Sequence, residues 1–143
     1  GINTLYLASR KGCSVNTFEG SPALAATAQK LFHSAGVNNI QVIPGNIDHT
    51  LPEFLQTAER IDFAFLDANH RYEPTLQYFH AIIQKVHQHS VMVLDDIHYS
   101  GEMERAWRKI QHHPSVYGTV DVYRCGLVFF DPSLNHQNHV LQF

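Results

Sequence analysis

Short runs rich in β-branched and aromatic residues alternate along this chain with stretches whose apolar side chains recur every three or four positions. That alternation is the pattern of successive βαβ units, and it commits the chain to strands lying mostly parallel with helices packed on the sheet faces. Residues 13 to 18 read as the first full strand, with Cys13, Val15 and Phe18 as its apolar members. Ser21 followed by Pro22 supplies an N-cap and a first-turn proline. The helix they open has Leu24, Ala28, Leu31, Phe32 and Ala35 on one face, and Gly36 stops it.

The pattern then repeats. Residues 39 to 43 form a strand that ends at Pro44 and Gly45, and Thr50 with Glu53 has capping-box spacing for a short helix to about residue 58. Residues 61 to 66 are an almost unbroken apolar run ending in Asp67, as expected of an interior strand covered on both faces. Pro74 opens the next helix, with Leu76, Phe79, Ile83 and Val86 on its face. A strand through Val91 to Leu94 closes in Asp95 and Asp96, and a helix follows with Met103, Ala106, Trp107 and Ile110 along one stripe, Ser100 being placed to cap it. Residues 116 to 123 and 125 to 130 leave no room for a crossover helix between them, so they must pair antiparallel.

The expected fold is therefore an α/β, Rossmann-like, doubly wound and mostly parallel sheet, ending in an antiparallel strand pair. With 143 residues, 44% of them hydrophobic, the chain suits one domain spanning residues 1–143. It opens at Gly1 and runs directly into Ile2, Leu5, Tyr6, Leu7 and Ala8, as if cut inside an element, so that the sheet's first strand is missing. Ten basic residues stand against 13 acidic ones, a net of -3, with no run of like charges to grip nucleic acid or a membrane surface. No apolar run approaches the ~20 residues a bilayer span needs, and no signal peptide opens the chain. A cytoplasmic protein acting on a small molecule is expected. Cys13 and Cys125 read as buried free thiols. An apolar edge at the antiparallel end could pair with a second copy to give a homodimer.

Ligands of open parallel sheets bind beyond the carboxyl ends of the strands. The residues there are unusually polar: Glu19, then Gly45 and Asn46, then Asp67, Asn69 and His70, then Asp95, Asp96 and His98. Glu19 is placed to accept hydrogen bonds from both hydroxyls of a ribose. Neighbouring strands lie ~4.8 Å apart, so Asp67, Asp95 and Asp96 can converge, and three carboxylates that close repel one another unless a cation or a donor compensates. All-oxygen ligands suit Mg²⁺ or Ca²⁺. His70 and His98, each just beyond a strand-end aspartate, suit a general base. His112 and His113 read as a solvated helix end. Tyr72 and Tyr99 could reach the crevice mouth.

The segments T-F-E-G (Thr17 to Gly20), P-G-N-I-D (Pro44 to Asp48), F-L-D-A-N-H-R-Y (Phe65 to Tyr72) and V-L-D-D-I-H (Val93 to His98) together resemble class I S-adenosylmethionine-dependent methyltransferases. Among these the resemblance is to the small-molecule O-methyltransferases that include the catechol O-methyltransferase type. It implies that Glu19 binds the cofactor ribose, that Gly45 and Asn46 lie by the adenine, and that Asp67 lies near the methionine moiety and a divalent metal, with Asp95 and Asp96 as further metal ligands. Gly1, as the last glycine of the cofactor loop, joins Thr4, Gly20 and Asn69 among the cofactor-binding residues. The reaction implied is O-methylation of a small-molecule hydroxyl, with His70, His98 and Asp67 as catalytic groups. In the catechol type the last metal position is usually Asn, so Asp96 is a departure. With most of the glycine loop absent, the piece given is expected to be an inactive fragment.

Two other readings compete. An acidic residue after the second strand of a dinucleotide fold also reads ribose, as in NAD-dependent oxidoreductases, but hydride transfer needs no carboxylate triad. A non-catalytic metal-binding regulatory module of the phospho-receiver kind also gathers aspartates, but after its first strand rather than its fourth.

Overall fold

Serine caps start two of the helices where the sequence places them. The computed structural model describes residues 1–141, and its strands fall into two sheets carried by two compact units, Gly1–Gln56 and the remainder from Thr57.

In the first unit, helix α1 (Ile2–Ala8) has Gly1 at its N-cap and buries Ala8. Strand β1 (Val15–Glu19) follows, then helix α2 (Pro22–Ser34), whose Ser21 cap accepts the Leu24 amide. Gly36, at a φ of +67°, ends the helix in the left-handed turn that glycine adopts without strain. The face α2 buries differs from the expected one. Ala25 and Phe32 are buried and Ala28 half-buried, whereas Leu24, Leu31 and Ala35 are exposed. A single residue rotates a helix face by about 100°, and a helix with apolar side chains at 24, 25, 28, 31 and 32 permits either rotation. Strand β2 (Ile40–Pro44) pairs parallel with β1, from Val15 opposite Ile40 to Glu19 opposite Pro44. The Asn39 amide ties this pair to what precedes it, donating to the carbonyls of Ala8 at 2.9 Å and Cys13 at 3.0 Å.

Helix α3 (Ile47–Thr57) begins earlier than Thr50 and Glu53 imply. Asn46 starts it instead: its side-chain oxygen accepts the Asp48 amide, and its carbonyl accepts both the amide and the hydroxyl of Thr50. Leu51 and Leu55 are the buried residues of this helix.

The second unit holds a five-stranded sheet in the order β3-β4-β6-β5-β7. Its strands are β3 (Phe63–Leu66), β4 (Val91–Asp95), β5 (Gly118–Asp121), β6 (Cys125–Phe129) and β7 (Gln137–Val140). β3 and β4 are parallel, and β6 runs antiparallel to both β4 and β5, as expected of the final strand pair. Two points correct the sequence reading. β3 lies at the sheet edge with β4 as its ladder partner, leaving Phe63 and Phe65 exposed on one side, so it is not covered on both faces. β7 was not expected at all: it pairs parallel with β5, and all four of its residues are exposed.

Helix α4 (Tyr72–Ile82) starts two residues before Pro74 and passes into a single tighter turn, Ile83–Lys85. Thr75, Leu76, Tyr78, Phe79 and Ile82 are its buried residues. Helix α5 (Gly101–Gln111) is capped by Ser100, which accepts the Met103 amide, and buries Met103, Ala106, Trp107 and Ile110 as its periodicity predicts. The two helices pack together, with the Thr75 hydroxyl donating to the Met103 sulfur and the Tyr72 amide to Glu102 Oε2. The end of α5 is only partly solvated. His112 is exposed, but His113 is half-buried with its ring edge-on to Phe79 at 5.1 Å. Cys13 and Cys125 are free thiols, each half-buried rather than sealed in the core.

Candidate functional site

The parallel pairing of β1 with β2 brings the first group of expected residues together. Glu19 ends β1 opposite Pro44, and the Gly45 amide donates to the Glu19 carbonyl at 3.0 Å, so the Glu19–Gly20 and Gly45–Asn46 turns run side by side. The Glu19 carboxylate is half-buried, and its Oε1 accepts the Ser21 amide at 2.9 Å, which fixes it at the strand end. Gly45 has a φ of +128°, a conformation nearly reserved for glycine. Gly20 is open, since a Cβ there would meet only the Gly45 carbonyl, at 3.9 Å. A fixed carboxylate beside two glycine turns is suited to a ribose and a flat base. Gly1 lies at the N-cap of α1 and Thr4 within that helix, half-buried.

In the second unit, the ends of β3 and β4 assemble a second cluster. Ligand atoms of Asp67, His70 and Asp95 all lie within 4.8 Å of one another. His70 Nε2 is 3.3 Å from Asp67 Oδ1 and 3.9 Å from Asp96 Oδ2, yet that nitrogen is buried and no hydrogen bond from the described residues satisfies it. A buried polar atom without a partner costs ~1–3 kcal/mol. His70 also holds a φ of 44°, in the left-handed region that costs most non-glycine residues ~1–3 kcal/mol, alongside Asn69 at 60° and Asp96 at 51°, residue types that adopt it more readily. An imidazole nitrogen that faces two carboxylates without a hydrogen bond fits a divalent cation, and Asp67, His70 and Asp95 offer one donor atom each to hold it. The Asn69 amide is engaged elsewhere, donating to the Tyr78 hydroxyl.

Asp96 lies beside this trio, and a residue that sequence reasoning passed over reaches it. Arg124, in the β5–β6 turn, places its Nε 3.3 Å from Asp96 Oδ1 and 3.6 Å from Asp95 Oδ1. Next to it the Cys125 thiol donates to Asp95 Oδ1 at 3.0 Å. Burial, then that carboxylate, pushes the thiol pKa up to about 11. Only the antiparallel register, which sets Cys125 opposite Asp95, could have revealed either residue.

His98 has other partners. Its Nε2 is 2.9 Å from the nearly buried Asp121 Oδ2, and its Nδ1 is 3.8 Å from Glu104 Oε1. Those contacts tie the β4–α5 loop to the end of β5. Tyr99 is largely exposed, with its ring 5.8 Å from that of His70, while Tyr72 lies under the Arg105 guanidinium at 5.6 Å.

Parallel strands with helical crossovers, an antiparallel closing pair and polar groups at the carboxyl ends define a Rossmann-like fold of the class I methyltransferase kind. The chain belongs to the family described as "Methyltransferase domain", whose model matches residues 2–97. Solved structures share the fold. The cofactor-bound Rv0187 from MTB has a TM-score of 0.77 at 22% identity over 91% of this chain and 68% of its own. For the O-methyltransferase from Bacillus cereus in complex with SAH the values are 0.76, 22%, 90% and 69%. The SAH-bound Podospora anserina methyltransferase PaMTH1 gives 0.70 and 15%, over 82% of this chain and 61% of its own, so the chain spans less than two thirds of that protein. No curated protein matches the chain in sequence. No helix among the described residues is long and apolar enough to cross a membrane.

Proposed function

We propose that this methyltransferase domain uses S-adenosylmethionine to methylate a hydroxyl oxygen of a small molecule, with a divalent cation held by Asp67, His70 and Asp95. The observation that carries the reading is the convergence of those three ligand atoms within 4.8 Å, with an imidazole nitrogen of His70 that has no hydrogen-bond partner among the described residues. Support for the cofactor comes from the Glu19 carboxylate beside the Gly45 turn and from the SAH carried by two proteins of the same fold. The Bacillus cereus protein's name supports oxygen as the methyl acceptor.

The sulfonium of this cofactor brings an already activated methyl group, so the protein's task is to bind, align and deprotonate. Glu19 would accept the ribose hydroxyls. Aligning an acceptor with the methyl group can contribute several kcal/mol, with ~7 to 11 as the ceiling. A cation on Asp67, His70 and Asp95 would act as a Lewis acid, making the acceptor hydroxyl easier to ionise. Because His70 turns one nitrogen to the cluster, this reading assigns it to the ion, and the acceptor's proton falls to Asp96, the carboxylate outside the trio. The imidazole also makes the donor set softer than the all-oxygen set expected from sequence, which admits Mn²⁺ or Zn²⁺ alongside Mg²⁺.

Calorimetric titration with SAH tests the cofactor half. Hydrogen bonds to a charged group are worth ~1.5–3 kcal/mol, so Glu19→Gln should weaken binding by about tenfold or more. Equal affinity in the two proteins would remove Glu19 from the cofactor site.

A further inference from the structure

We infer that Arg124 is a resident counter-cation that competes with a divalent ion for the strand-end carboxylates and sets how tightly that ion is held. The inference rests on the proposed cation site. Asp67, Asp95 and Asp96 gather at the ends of two adjacent strands, and their repulsion calls for positive charge. Arg124 supplies it, with Nε 3.6 Å from Asp95 Oδ1 and 3.3 Å from Asp96 Oδ1.

Hydrogen bonds fix the backbone of the turn from which this side chain extends. Asp121 Oδ1 accepts the Tyr123 amide at 2.8 Å, the Arg124 amide donates to the Val122 carbonyl at 2.9 Å, and the Ile97 amide donates to the Arg124 carbonyl at 3.2 Å. Tyr123 takes a φ of 69° to make the turn. The side chain itself is different, being 72% exposed, while that of Asp95 is 11% exposed. A pinned backbone with a solvated guanidinium can stay near the carboxylates or swing away into water at little cost. Asp95 cannot move as freely, since Oδ1 also accepts the Cys125 thiol. An ion arriving at Asp95 therefore meets a positive charge already beside the same carboxylate.

The size of the competition follows from Coulomb's law. A divalent and a monovalent cation ~5 Å apart in a water-like dielectric repel enough to change an affinity roughly tenfold, less at high salt. Arg124→Gln should accordingly bind Mn²⁺ about tenfold more tightly than wild type in calorimetric titrations at low salt. Arg124→Lys, which keeps the charge, should stay close to wild type, and Arg108→Gln, which removes a charge from the exposed side of α5, should change nothing. In unmodified protein, Mg²⁺ should displace the Arg124 Nε–H resonance. Unchanged or weaker Mn²⁺ binding by Arg124→Gln, with Asp95→Asn still abolishing binding, overturns the role of Arg124 and leaves the cation site standing. If Asp95→Asn binds Mn²⁺ as wild type does, or if neither wild type nor Arg124→Gln binds it, the site and this inference fall together.

Discussion

The Cys125 thiol donates to Oδ1 of Asp95 across 3.0 Å, from a position directly opposite it in the β4–β6 ladder. Partial burial and the neighbouring carboxylate both disfavour the thiolate, and its pKa is pushed up to about 11. The thiolate is the nucleophile, so on the order of one Cys125 in a thousand is reactive at pH 8. Iodoacetamide at that pH should label Cys125 slowly. Asp95→Asn keeps the side-chain shape but removes the charge, and should raise the labelling rate several-fold, as followed by peptide mass spectrometry. A rate unmoved by the substitution would show that Asp95 does not hold the thiol.

Gly126 is defined by what it faces. A Cβ built on it would lie 2.6 to 2.9 Å from three ring atoms of Trp107, a residue only 3% exposed. Overpacking of this kind costs ~1–3 kcal/mol. Gly126→Ala should lower the urea midpoint correspondingly, whereas Gly101→Ala, whose new methyl would meet only the flexible end of Arg105 at 3.9 Å, should leave it nearly unchanged. Equal midpoints for the two variants would mean that Trp107 shifts without cost.

Much of this architecture was legible because its signals are local. Ser21 and Ser100 cap the helices they precede, and the Met103, Ala106, Trp107, Ile110 stripe buries as its spacing requires. Asp67 and Asp95 could be placed together because each closes an apolar run, and such runs become neighbouring parallel strands. What escaped depends on distant pairing or on competition between equal signals. Leu24 and Ala25 are both apolar, so sequence could not choose the buried face of α2. Asn46 and Thr50 can each cap a helix, and the earlier one prevails. β7 is mostly polar and all four of its residues are exposed, so it is held by its ladder with β5 rather than by burial and no periodicity announces it. Arg124 looks like an ordinary hairpin residue until the register of β6 against β4 carries it to two aspartates.

His113 shows how one such long-range contact should govern the response to acid. Its ring packs edge-on against Phe79 at 5.1 Å, lies 5.6 Å from His80, and accepts the Ser115 amide on Nδ1 at 3.1 Å. Burial, and then the charges of His80 and Lys109, lower its pKa below the ordinary 6.5. The folded protein therefore resists a proton that the unfolded chain takes up readily. Well above the ordinary 6.5 the imidazole is neutral in both states and its contribution is fully present. As the pH falls through 6.5 toward the lower folded value, the unfolded state gains protons first and that contribution is lost. Thermal midpoints measured from pH 7.5 to 5.5 should fall more steeply for wild type than for His113→Gln, which cannot titrate. Parallel slopes would mean that the folded His113 takes its proton as easily as the unfolded one, and that its packing on Phe79 opposes no charge.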